Sequence, residues 1–171
     1  MPQTRSRARL GSFIERSSCL LRRLCITGWP DPPPITKILL QHPSIIELVI
    51  FIDDSGASPY ANDLMSTLTN AALFPHSRFI SLGCKDKTSI DYWQYTRMLE
   101  SRWKAPGSML QSAALLIQKD PGPDLTTLGR LEKLRRDGLN LQLLKRRDAR
   151  DVLWGCSYHI VFSPESSFTP F

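Results

Sequence analysis

Leu21-Arg22-Arg23-Leu24-Cys25-Ile26 and Ile45-Ile46-Glu47-Leu48-Val49-Ile50 have one form, L-x-x-L-x-L. The apolar slots hold Leu21, Leu24 and Ile26 in the first stretch, and Ile45, Leu48 and Ile50 in the second. Three weaker copies follow. Residues 77–82 keep Ile80 and Leu82 but put Ser77 in the first slot; residues 110–115 keep Leu110 and Leu115 with Ala113 between; residues 139–143 show only the alternation Leu139, Leu141, Leu143. A stretch with helical character separates each copy from the next. One strand with one helix cannot bury its own apolar face, whereas stacked copies can. The recurrence therefore predicts an α/β leucine-rich-repeat-like solenoid, with about five parallel strands on one side and helices on the convex side.

The spacing of the copies supports that reading. The matching middle positions Leu24, Leu48, Ile80, Ala113 and Leu141 are 24, 32, 33 and 28 residues apart. Short leucine-rich repeats run in about the low twenties. Longer steps leave room for a full helix, and β-helix-β connections predict parallel strands with right-handed crossovers.

Between the strands the signals are local. Leu10, Phe13 and Ile14 suggest a short helix over residues 9–16. The loop from Gly28 holds four prolines in five positions, which argues against regular structure before Pro34. A helix over residues 35–41 follows, stopped by Pro43, and residues 45–52 form the strongest strand, as apolar as a parallel strand covered on both sides. Residues 60–72 read as a helix with Leu64, Leu68 and Ala71 or Ala72 inward. The third strand, residues 78–82, is expected to end at Gly83. Asp91 is placed to cap a helix reaching Trp103, with Tyr92, Tyr95 and Leu99 buried. Residues 112–118 form the fourth strand. Asp124 is an N-cap for a helix over 125–136, with Leu128, Leu131 and Leu134 inward and Gly138 as its stop. Residues 1–144 are expected to form the solenoid, with 1–10 frayed. Residues 145–171 form a basic segment and tail, in which 152–162, with Trp154, Tyr158, Ile160 and Phe162, read as one more strand.

Composition narrows the class. A chain of 171 residues, 42% hydrophobic, with a mean hydropathy of −0.21, suits one ordinary globular domain. Its longest apolar runs are too short to cross a bilayer, so no membrane role is expected. No h-region follows the start, and the four cysteines (Cys19, Cys25, Cys84, Cys156) are scattered. An intracellular location, cytoplasmic or nuclear, is the simplest expectation. The start has three arginines and no acid, as in a mitochondrial presequence, but lacks the apolar residues of an amphipathic face. The net charge is +6, and it is uneven: residues 1–23 and 130–150 each carry +5. Such ends attract nucleic acid or acidic protein surfaces; the plainer reading is two solvated faces.

Catalytic and metal signals are weak. The strand ending in Asp53-Asp54-Ser55-Gly56 has the look of a phosphatase nucleophile, but Ser55 stands where the second acid of D-x-D belongs. Gly83-Cys84-Lys85-Asp86-Lys87-Thr88 lacks the second glycine and the spacing of a phosphate loop. Cys156-x-x-His159 is half of a metal site with no second close pair. His42 and His76 each neighbour a proline at an expected turn and read as exposed. No enzyme activity, cofactor or metal is expected.

A surface is the better candidate. If the L-x-x-L-x-L positions point inward, their alternate neighbours share the opposite side of the sheet. These include Arg23, Glu47, Val49, Phe51, Phe79, Ser81, Ser112 and Leu116, together with Cys25, Thr27 and Ala114. In a solenoid this stripe is concave, and its apolar character suggests a protein partner. The other reading is that part of the chain, such as residues 154–162, covers it.

Several longer motifs carry a family resemblance. They are Pro43-Ser44-Ile45-Ile46-Glu47-Leu48, Pro75-His76-Ser77-Arg78-Phe79-Ile80-Ser81-Leu82, Met98-Leu99-Glu100-Ser101-Arg102-Trp103 and Leu134-Arg135-Arg136-Asp137-Gly138-Leu139-Asn140-Leu141. In this order they resemble the C-terminal leucine-rich-repeat region of the large F-box protein family of mushroom-forming fungi, over most of residues 15–144. The resemblance implies a substrate-recognition array. In that family an N-terminal F-box binds the Skp1 adaptor of a ubiquitin ligase; no F-box is recognisable in the roughly 20 residues before the first repeat, so the chain reads as the repeat region alone. The expected function is non-enzymatic protein binding through the stripe. The alternative is nucleic-acid binding through residues 1–23 and 130–150, although no aromatic residue lies between Arg130 and Arg150 to stack on bases.

Overall fold

The computed structural model describes residues 20–27, 32–52, 58–84, 91–117 and 123–145. The expected helix at 9–16, the Asp53–Asp54 loop, the phosphate-loop remnant after Cys84, residues 146–150 and the tail strand at 152–162 lie outside them. The described elements are β1 (Arg23–Thr27), α1 (Pro32–Gln41), β2 (Glu47–Ile52), α2 (Ser58–Leu68), a 3-10 turn (Ala71–Leu73), β3 (Phe79–Cys84), α3 (Tyr92–Lys104), β4 (Ser112–Ile117), α4 (Leu125–Arg136) and β5 (Asn140–Lys145).

The five strands form one parallel sheet whose spatial order is the chain order. Leu24, Leu48, Ile80, Ala113 and Leu141 pair in one continuous rung, and Ile26, Ile50, Leu82, Leu115 and Leu143 in the next but one. The positions matched in the sequence are thus the positions matched in space. The entry to each strand is built alike. Ile46 N–H and Glu47 N–H both donate to Arg22 O, Arg78 N–H and Phe79 N–H to Ile46 O, and Gln111 N–H and Ser112 N–H to Arg78 O. Ser44 Oγ adds a bond to Leu21 O at 3.0 Å.

All four helices contribute to one core on the side of the sheet that carries these rungs. Ile35 and Leu39 of α1, Ala61, Leu64, Met65 and Leu68 of α2, Tyr95, Met98 and Leu99 of α3, and Leu131 and Leu134 of α4 are buried there. Each such large side chain contributes about 1.5–3 kcal/mol by leaving water. Leu143, the last member of its rung, stays 38% exposed, because no described helix follows β5.

Several local expectations give way to context. The first helix starts at Pro32, not Ile35. Three prolines can occupy the first turn because its N–H groups have no helical acceptor to lose, and a φ near −65° is already helical. The second helix ends at Leu68, not Ala72; after Asn70, whose side chain accepts from Ala72 N–H, the chain turns through a 3-10 turn that buries Leu73. Ala72 is exposed and Ala71 half-buried. Gly83 lies inside β3 and does not end it. Leu128 and Tyr92 are only half-buried, and so is His42, while His76 is exposed. The other caps match expectation. Asp91 accepts from Trp93 and Gln94 N–H, Asp124 accepts from Thr127 N–H, and Gly138, at φ 105°, stops α4.

The motif Glu100-Ser101-Arg102-Trp103 binds neighbouring units together. Arg102 is 2% exposed, yet its guanidinium faces no carboxylate. Its Nε donates to Leu68 O at 2.6 Å, Nη1 to Phe74 O at 3.0 Å and Ser77 Oγ at 3.2 Å, and Nη2 to Asn70 O at 3.3 Å. The cation also lies 5.5 Å from the centroid of the Phe74 ring. These acceptors include carbonyls at the C-terminal end of α2, where helix carbonyls lack partners and the dipole is negative. Burial draws the Arg102 pKa down to about 10, still far above neutrality, so the group remains charged. Ser77, the one polar residue in a first slot, is the place where this fork enters the core. Ser101 Oγ donates to Thr69 O at 2.8 Å, and the Trp103 ring rests against Gly138. Glu100 takes both arms of Arg130 from α4, at 3.0 and 2.7 Å; that bond holds its carboxyl below the usual range.

Removing the Arg102 fork leaves several buried acceptors without a donor, each at a cost of about 1–3 kcal/mol. Arg102→Ala is therefore expected to lower the unfolding free energy by at least about 3 kcal/mol, and Arg102→Lys by less, since an ammonium keeps the charge but not the fork. Urea unfolding of both variants checks this; a loss under about 0.5 kcal/mol for Arg102→Ala would show that the bonds are dispensable.

Candidate partner-binding face

The other side of the sheet carries the remaining rungs. Arg23, Glu47, Phe79, Ser112 and Asn140 form one; Cys25, Val49, Ser81, Ala114 and Gln142 the next; Thr27, Phe51, Gly83, Leu116 and Leu144 the third. All eight residues expected in the stripe, Arg23, Glu47, Val49, Phe51, Phe79, Ser81, Ser112 and Leu116, therefore share one face, set by strand alternation and parallel register. No described helix contributes to it. Its small cluster consists of Ala114 and Leu116, with Phe79 and Leu144 packed against them.

Burial divides the face into a centre and a rim. Val49, Ser81, Ala114 and Leu116 are buried, at 4%, 0%, 0% and 0% exposure. Arg23, Glu47, Phe51, Phe79 and Ser112 are half-buried. Of the two readings of the stripe left by the sequence, the centre fits the covered one and the rim the accessible one. At the rim Arg23 and Glu47, opposite each other in register, form an ion pair at 3.2 Å. Both side chains are about one-third exposed, so the pair fixes orientation more than it stabilises.

Gly83 and Leu144 belong to this face although neither stood in the expected stripe. A Cβ at Gly83 would lie 2.8 Å from Phe51 Cδ2 and 3.3 Å from Leu116 Cβ. The Phe51 ring therefore lies across the glycine and meets Leu116. Extending the alternation one step past Leu82 would have placed Gly83 here; reading glycine as a terminator concealed it.

The described residues offer little for the other chemistries. No group of three or more His, Cys, Asp or Glu side chains among them could hold a metal ion, and no described helix is long and apolar enough to cross a membrane. The Cys156–His159 pair and the basic residues 146–150 lie outside them. Much of the described basic charge is partnered: Arg23 by Glu47, Arg130 by Glu100, and Arg135 by Glu132 at 3.0 Å. Arg97 and Arg130 flank the half-exposed Trp93 ring at 5.4 and 5.8 Å from its centroid. This partnering weakens the case for a phosphate-binding patch, which needs cations left available to displace counterions.

Comparison with protein-family models, curated proteins and solved structures finds no match to this chain.

Gly83→Val would force the Phe51 ring off β3. We expect a loss of about 1–3 kcal/mol, the usual scale of overpacking. The loss should shrink by at least half in a Phe51→Ala background, because the two changes meet at one contact. Equal losses in both backgrounds, measured by urea unfolding, would show that the ring does not occupy that space.

Proposed function

We propose that this chain is a non-enzymatic protein-binding repeat domain, a leucine-rich-repeat-like solenoid that resembles the substrate-recognition part of an F-box ubiquitin-ligase adaptor. The observation that carries the reading is the helix-free sheet face, on which a largely apolar stripe runs in register across the strands. A parallel sheet ordinarily has helices over both faces. A sheet with its described helices all on one side keeps the other for a different cover, and in repeat arrays that side serves as the binding surface. On this reading Phe51 and Phe79 supply apolar anchors, while Arg23, Glu47 and Ser112 supply a polar rim, the usual division of a protein interface. The partner is an intracellular protein, and a Skp1-type adaptor would reach the chain only through an F-box supplied elsewhere.

The test compares the parent chain with a Phe51→Asp, Phe79→Asp variant in affinity purification from the source organism. Partners captured by the parent should be lost from the variant by at least tenfold, with the circular dichroism spectrum and melting profile retained. Undiminished capture would exclude the face, and collapse of the fold would assign both rings to the core. Recovery of a Skp1-type adaptor would extend the reading to a ligase.

A further inference from the structure

We propose that residues 152–162 of this same chain form the cover of the helix-free face, so that an external partner must displace them. Val49, Ser81, Ala114 and Leu116 are at most 4% exposed. All four described helices pack on the opposite side, and the flanking Phe79 and Leu144 are themselves only partly buried. Two such side chains cannot close over a surface that spans three strands. Ser81 Oγ is also buried, with no hydrogen-bond partner among the described residues. A cover that carries polar groups of its own would satisfy it.

The sequence after β5 has the required form. Val152, Trp154, Cys156, Tyr158, Ile160 and Phe162 occupy every second position, while Gly155, Ser157 and His159 fall between them. Such alternation makes one apolar side for an extended segment, which must be buried against something. The connection limits where it goes. Six residues separate Lys145 from Val152, whereas a parallel strand added beside β5 would need a crossover of about a dozen or more. Six extended residues reach about 20 Å, and five strands span about 19 Å, so any part of the face is within range. Residues 1–19 are the weaker occupant: they carry few apolar residues, in helical spacing, and precede β1. The most buried positions lie on β3 and β4, beside β5. A hairpin return along the β5 edge would leave these positions uncovered.

The inference does not depend on the partner-binding proposal, and its test uses the full chain without any partner. A photoreactive p-benzoylphenylalanine replaces Phe79, the chain is irradiated, and cross-linked peptides are identified by mass spectrometry. Intramolecular adducts within residues 152–162 are expected. Adducts to residues 1–19, adducts only between copies, or no adduct to the tail would overturn the proposal. A second full-length variant, Trp154→Asp with Ile160→Asp, should increase the fluorescence of the apolar dye ANS several-fold with the circular dichroism spectrum retained; unchanged dye binding would also overturn it. Tail adducts together with undiminished partner capture by the Phe51→Asp, Phe79→Asp variant would support the cover while excluding the binding site.

Discussion

The Arg102 guanidinium is buried, charged and held mainly by backbone carbonyls. Burying a cation without an opposite charge is costly unless its donors are well bonded. Here the acceptors come from the end of α2, the segment after it and the entry to β3, so one side chain of α3 ties three consecutive pieces of chain together. The bonds satisfy carbonyls that a helix end leaves open. They also fix the path from Leu68 to Ser77, and with it the register at which β3 meets β2. Ser101 and Glu100 repeat the action on Thr69 and Arg130, so a four-residue motif joins α2, α3 and α4.

This constraint explains a departure in the repeat pattern. An apolar residue at position 77 would extend the series Leu21, Ile45, Leu110, but it would offer the guanidinium no oxygen. Serine at 77 was visible in the sequence as an exception. Its cause lies 25 residues further along, and no local pattern connects the two. The rungs themselves were legible, because period-2 alternation and pairs such as Leu24 and Leu48 need no long-range information. Asp91, Asp124 and Gly138 were legible as well, since capping acts within a few residues. Pro32 and Gly83 were misread for a shared reason. Each was taken as a breaker on residue type, whereas helix position excuses the proline and the Phe51 ring calls for the glycine. The composition of the candidate face followed from alternation; its burial did not, because burial depends on what lies above the sheet.

The two faces of the sheet thus have different origins. One is closed by helices that the sequence supplies between successive strands, held at their ends by caps and by the Arg102 bonds. The other receives no described helix, yet its centre is dry. A repeat array that presents an apolar face has to reconcile recognition with solubility. Covering that face until a stronger ligand arrives does so, and makes the apparent affinity for a partner depend on how easily the cover leaves.

The central structural claim is a stack in which each unit is held by its neighbours, and amide hydrogen exchange followed residue by residue tests it most directly. Amides of β2, β3 and β4, paired on both sides, should exchange slowest, with β3 the last to open because the Arg102 bonds anchor its entry. Those of β1 and β5, each with one described neighbour, should exchange faster. Equal protection across all five strands, or slowest exchange at β1 or β5, would contradict the stack.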